Sequence, residues 1–291
     1  MMVGGSHFAR ASIGRRGSGV RCGPFRRQAA GCRAQRSGAI LLAPGFPKGR
    51  SPLARFSALF PRGKRASRRS AKPSERIIVW QDLARANHVI HISISSHIKG
   101  SGYAAAQEAA RSFDHVTVVD SGHLSSGEGL LALEACRMVR EGLEPEQIVR
   151  ALEDRRALVH TSFIVDSLEY LERAGLVGHR VAKLSKALML RPVLRLRDGE
   201  IRIGRVYLGS RETAWRKYFA AQLSAMAAAD RRRLFVTYVG LSQKELAALR
   251  AEIDRRGGFE TVYLQKASPA IAVNCGPGTF GLLFLDAAEG Q

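Results

Sequence analysis

The residues best equipped for chemistry lie between positions 95 and 102. Ser95-Ser96-His97 supplies two hydroxyls and an imidazole, and Gly100-Ser101-Gly102 adds a third hydroxyl between two glycines. Hydroxyls and free backbone N–H groups at the start of a helix are the parts of an anion cradle, because both donate hydrogen bonds. The same residues can also do plainer work. Ser101 can cap a helix, and His97 can be a surface or hydrogen-bonding side chain. A serine nucleophile at Ser95 or Ser96 needs a base and a group to orient it. No His/Asp pair is fixed to either serine by spacing. The sequence also carries no P-loop, no GxGxxG within a complete βαβ unit and no paired-carboxylate motif.

Regular elements must hold these residues in place. His88 to Ile94 reads as a strand, with β-branched Val89, Ile90, Ile92 and Ile94. Tyr103 to Phe113 reads as a helix. Val116-Thr117-Val118-Val119-Asp120 is a second strand, apolar enough for a buried parallel position. It runs into a second polar loop, Ser121 to Gly127, and a helix over Glu128 to Glu141. Both polar loops follow the carboxyl ends of strands, where open α/β sheets bind ligands. Pro145 suits the first turn of a helix over Glu146 to Arg156.

From Leu158 the pattern changes. A strand over Val159 to Asp166 precedes short helices over Ser167 to Ala174 and on to about Met189. Asp198-Gly199 between the alternating runs 192–197 and 200–206 is a strong hairpin signal. A helix over Glu212 to Ala229, strands over 234–239 and 261–264, and a helix capped by Ser242 and ending at Arg256 follow. The stretch 268–278 reads as a connection with Cys275 in its Gly-Pro-Gly turn, leading to a last strand over Thr279 to Leu285. The fold class expected is α/β with two α/β domains. The first has a mainly parallel, incomplete sheet; the second has a mixed sheet that includes a β-hairpin. The boundaries expected are a disordered basic segment over 1–74, a partial first domain over 75–157 and a second domain over 158–286.

The net charge of +21 suggests a nucleic-acid binder until it is located. Residues 1–74 hold 17 Lys and Arg and no acid, which leaves +4 for the remainder. The basicity belongs to a segment rather than to the folded body, so a nucleic-acid partner is kept only as an alternative, carried by that arm. The segment can be read as a nucleic-acid arm, as a transit peptide or as an upstream stretch translated from an early start or a broken frame, and the last is expected. The four cysteines, at 22, 32, 136 and 275, form no CxxC or Cys/His ligand spacing. No metal site, cofactor or disulfide framework is expected, and a reducing, cytoplasmic setting fits. No apolar run approaches the ~20 residues of a membrane span.

These motifs, taken in order, resemble the DegV family. The stretch Ile92-Ser93-Ile94-Ser95-Ser96, then Gly100-Ser101, then Tyr103-Ala104-Ala105-Ala106-Gln107, is similar to that family's strand–loop–helix motif, with one extra residue near Gly102. The resemblance continues through Val116 to Ser121, Gly127 to Leu130, Phe163 to Leu171, Ala174 to Gly178, Arg191 to Leu194, Asp198 to Ile201 and Gly276 to Gly281, over about residues 76–285. It implies a two-domain, non-catalytic lipid-binding protein. Such a protein holds one long-chain fatty acid between its domains and presents the carboxylate to a partner fatty acid kinase subunit.

Carried over by motif, the carboxylate ligands are Ser95 or Ser96 and the loop around Gly100 and Ser101. Asn274 and Cys275 stand where the family usually has His-Thr before Gly-Pro-Gly. Asn274 can hydrogen-bond there but cannot titrate. The family's opening Asp-x-Ser strand and its later Thr-Ser-x-Pro segment are not found in residues 1–75, so about a third of the first domain is expected to be replaced. A serine hydrolase on Ser95 or Ser96 remains the other alternative.

Overall fold

The computed structural model describes residues 88–287, apart from 99, 174, 176 and 257, together with 11–12, 32–34 and 40–42. The expected remnant helix over 81–87, and most of the segment expected to be disordered, lie outside these residues. Three short strands precede the body: β1 (Ala11–Ser12), β2 (Cys32–Ala34) and β3 (Ile40–Leu42). β2 and β3 pair with each other, and β1 lies antiparallel on β4 (Val89–Ser93) through Ala11↔Ile90 and Ser12↔Val89.

β4, α1 (Tyr103–Ala110) and β5 (Val116–Asp120) follow the expected order, and β4 and β5 pair in parallel. All five residues of β4 are buried. β5 is only partly buried because it is the edge of a sheet ordered β1-β4-β5. α2 (Ser126–Arg140) and α3 (Pro145–Arg155) come next. Pro145 opens α3 behind a capping box. Glu144 N–H donates to Gln147 Oε1 at 2.9 Å, satisfying a donor that the first helical turn leaves free.

The second sheet has six strands in the order β10-β9-β11-β6-β7-β8. These are β6 (Val159–Ile164), β7 (Leu190–Arg197), β8 (Glu200–Leu208), β9 (Arg233–Val239), β10 (Thr261–Lys266) and β11 (Thr279–Leu285). β10 is parallel to β9 and the other pairings are antiparallel, giving the expected mixed sheet. The connecting helices are α4 (Glu169–Arg173), α5 (His179–Ala187), α6 (Arg211–Ala225), α7 (Gln243–Arg256) and α8 (Pro269–Cys275). α8 was expected to be a connection. It forms behind Ser268 with Pro269 at its first turn, so Cys275 is the last residue of a helix and precedes the Gly-Pro-Gly turn.

Strand alternation gives the large sheet two apolar faces. Phe280, Leu282 and Phe284 of β11, with Leu234 and Val236 of β9, pack against Tyr218 and Phe219 of α6 and Leu246, Leu249 and Ile253 of α7. Phe163, Phe235, Leu283 and Leu285 face the other way. They meet Leu130, Leu131 and Met138 of α2, whose far side meets Ile90, Ile92 and Val119 of the small sheet. α2 is therefore wedged between the two sheets. Gly281 in β11 is dictated by this packing, since a Cβ there would stand 2.2 Å from Phe163 Cδ1 and 2.6 Å from Ser162 O.

Candidate functional site

The site lies where the carboxyl ends of β4 and β5 approach the large sheet. Two loops, three strands and one helix build an apolar pocket there. The loop after β4 contributes Ile94 and Ile98, and the loop after β5 contributes Leu124. The floor is Phe163 of β6, Leu194 and Leu196 of β7 and Ile201 of β8, and α8 closes one side with Ile271, Asn274 and Cys275. The floor follows from register. Phe163 pairs with Leu194 and Leu196 with Ile201, so these side chains rise from the same face of three adjacent strands. Among the described residues, Asn274 is the one strongly polar side chain in the lining, and no charged side chain lines it.

The Ser95–Ser101 loop borders the pocket and is heavily cross-braced. Ser95 is fully buried, and its hydroxyl donates to Gly199 O at 2.6 Å. Its N–H donates to His123 O at 2.8 Å, and its Oγ accepts from His97 N at 3.3 Å. Ser96 is exposed, and its N–H donates to Asp120 Oδ1 at 3.1 Å. Ile98 N–H donates to Ser95 O and Ser101 N–H donates to Ile98 O. Ser101 is buried and caps locally, its Oγ accepting from Tyr103 N at 3.2 Å. Gly100 is exposed beside it, with φ at +74°. The loop thus directs most of its N–H groups inward rather than toward a ligand.

Gly199 is the contact that sequence reasoning missed. It lies at the tip of the β7–β8 hairpin, where φ is +53° at Asp198 and +78° at Gly199, the geometry of a type I′ turn. A Cβ on Gly199 would meet His97 Nδ1 at 2.5 Å and Ser95 Oγ at 2.6 Å. The Asp-Gly pair announced the turn, but nothing in the sequence announced that the turn docks on the serine loop.

Asn274 and Cys275 lie in the last turn of α8, and both are buried. Asn274 Nδ2 donates to Ala270 O at 2.7 Å, whereas Oδ1 has no hydrogen-bond partner among the described residues. Burial pushes the Cys275 thiol up to about 12, so it stays protonated. Its carbonyl accepts from Thr279 Oγ1 at 2.9 Å, which ties α8 to β11. The structure therefore brings Asn274 and Cys275 into the same lining as Ile94 and Ile98, the residues on either side of Ser95, Ser96 and His97. Gly100 and Ser101 are not part of that lining.

The second polar loop is a brace. Asp120 Oδ1 accepts from both Ser96 N and Gly122 N. His123 is buried between Thr161 Oγ1 at 3.0 Å and Arg156 O at 2.8 Å. Because a carbonyl only accepts, Nε2 carries the proton and Nδ1 accepts from the threonine. Burial lowers the imidazole pKa to about 4, and it stays neutral. Among the described residues no group of three or more His, Cys, Asp or Glu could hold a metal ion, and no helix is long and apolar enough to cross a membrane.

An apolar pocket between a small three-stranded sheet and a larger mixed sheet, with a helix-borne amide at its side, marks the class as a two-sheet α/β protein. The family model described as "Uncharacterised protein, DegV family" matches residues 62–287, and the chain belongs to that family. A DegV domain-containing protein of Deinococcus radiodurans is 30% identical over 209 residues, covering 69% of this chain and 71% of that one. Another, from Caldanaerobacter subterraneus subsp. tengcongensis, is 32% identical over 151 residues, and the match spans 51% of this chain and 54% of the relative's length. A solved DegV family protein from Thermus thermophilus, described by its fatty acid binding, superimposes with a TM-score of 0.66 at 31% identity, over 75% of this chain and 78% of that one.

Proposed function

We propose that this chain binds a long-chain fatty acid and does not itself transform it. The observation that carries the proposal is the pocket lining: apolar side chains from the loops after β4 and β5, from the large sheet and from α8, interrupted by one amide and one neutral thiol. Such a lining stabilises an acyl chain by removing it from water, at roughly 0.8 kcal/mol per buried methylene. The Thermus relative, similar in sequence and fold, is described as binding fatty acid, which supports the same ligand class. In this reading the carboxyl end lies on the side of the pocket formed by Asn274, Cys275 and the isoleucines that flank Ser95-Ser96, with Gly100 and Ser101 further along the same loop, and the chain runs over Leu194, Leu196 and Ile201.

The serine hydrolase alternative is disfavoured by Ser95 itself. Its proton goes to a backbone carbonyl rather than to a base, and Ser96 is exposed. Presentation of the bound acid to a separate kinase subunit, which the sequence resemblance implies, extends the proposal. Extraction of the purified full-length chain, followed by mass spectrometry, tests the reading. One acyl chain per protein is expected, and a folded preparation that neither carries nor takes up added fatty acid overturns it.

A further inference from the structure

The lipid pocket contains a buried polar atom with unmet chemistry. Asn274 is 1% exposed, and its Oδ1 has no hydrogen-bond partner among the described residues, while the pocket beside it is otherwise apolar. The orientation of the amide is fixed. Nδ2 donates to Ala270 O, and turning the amide over would set two oxygens against each other. The orphan is therefore an acceptor. A carboxylate has only acceptors and would face it with repulsion, whereas an uncharged O–H would complete it.

The neighbours agree with this. Ser95 has spent its hydroxyl proton on Gly199, and the Cys275 thiol stays neutral. Among the described residues no cation lines the pocket to receive an anion. Resting on the fatty-acid reading above, we propose that Asn274 selects acyl ligands whose polar end reaches it as an uncharged O–H donor, either a protonated carboxyl group or an alcohol-type hydroxyl.

Equilibrium binding to the delipidated full chain tests this with three probes: tetradecanol, methyl tridecyl ether of the same size without an O–H, and tetradecanoic acid. Tetradecanol is expected to bind about tenfold or more tighter than the ether, because the ether leaves the buried acceptor unpaired. In Asn274→Leu the two should bind within twofold of each other. The wild-type pair alone decides the matter should that variant misfold. If the carboxyl is the donor, the affinity for tetradecanoic acid falls about tenfold per pH unit above the acid's own pKa. Tetradecanol is the control for titration of the protein's own nearby groups, which among the described residues are Cys275 in the lining, His97 and Asp198 at the hairpin tip and Tyr170 against Gly276. A pH-independent acid alongside the alcohol preference assigns the donor to an alcohol-type hydroxyl. Equal binding of alcohol and ether to the wild type overturns the role of Asn274 while leaving lipid binding intact. Failure of all three probes overturns the lipid reading itself.

Discussion

Replacing Gly199 with alanine tests whether the hairpin tip is a structural clasp on the serine loop. The new Cβ would stand 2.5 Å from His97 Nδ1 and 2.6 Å from Ser95 Oγ, both far inside contact distance. The φ of +78° costs an L-residue about 1–2 kcal/mol. Displacing Ser95 forfeits its hydrogen bond to Gly199 O, worth about 1 kcal/mol. Reduced freedom of the unfolded chain returns about 0.4–1 kcal/mol. The net expected loss is about 2 kcal/mol, or a fall in Tm of roughly 4–8 °C for a chain of this size. Gly142 provides the control: its φ is +84°, yet nothing among the described residues lies within 4 Å of its notional Cβ. Gly142→Ala should therefore show only the backbone part of the loss. Urea unfolding of both variants reads the difference. Equal losses at the two positions would refute the clasp, as would a Ser95→Ala variant with wild-type stability.

Two further outcomes follow from buried charge and neutral histidine. Glu134 on α2 is fully buried and meets Arg137 at 3.1 Å, Arg155 at 3.5 Å, Arg232 at 3.3 Å and Arg233 at 3.0 Å. Glu134→Ala should cost about 2–3 kcal/mol in chemical denaturation, below the usual 3–5 because the arginines can reach water, and Glu134→Gln should cost less. His123 has a folded pKa of about 4 against an unfolded value near 6.5, so the unfolded state takes up the proton first. Its contribution is full above pH 6.5 and is lost as pH falls toward 4, by roughly 3 kcal/mol in all. His123→Gln should flatten that part of the stability–pH curve, and an unchanged curve would exclude the histidine as its source.

The parts of the fold legible in sequence are those governed by local chemistry. Val89 to Ser93 reads as a strand from its β-branched residues, and Asp198-Gly199 reads as a turn because a type I′ geometry demands positive φ. α8 was illegible because seven residues, Pro-Ala-Ile-Ala-Val-Asn-Cys, are too few to establish a helical period. Ser268 before Pro269 was the available signal. The pocket floor was illegible for a different reason. Leu194, Leu196, Ile201 and Phe163 are apolar, as core residues are, and only the long-range pairing of β6, β7 and β8 turns them to one face. The buried Tyr218 also escaped notice: its hydroxyl donates to Ser162 O at 3.0 Å and accepts from Leu282 N at 3.3 Å, contacts 56 and 64 residues away in sequence.

The serine loop ends up with a narrower role than its composition suggests. A loop rich in hydroxyls and glycines is an anion site only if its donors point outward. Here the N–H groups of Ser95, Ser96, His97, Ile98 and Ser101 are all committed within the fold, and the Ser95 hydroxyl is held by the hairpin tip. A carboxylate reaching Ser95 must therefore compete with Gly199 O for a single proton, and its affinity is reduced by whatever the hairpin gives up. A neutral O–H reaching Asn274 meets no such competitor, because Oδ1 has no partner among the described residues. The balance between these two encounters is set by the docking of one turn on one serine. Loosening the hairpin with Gly199→Ala should accordingly shift the chain's preference toward the ionised acid, while Asn274→Leu should remove its preference for the uncharged donor.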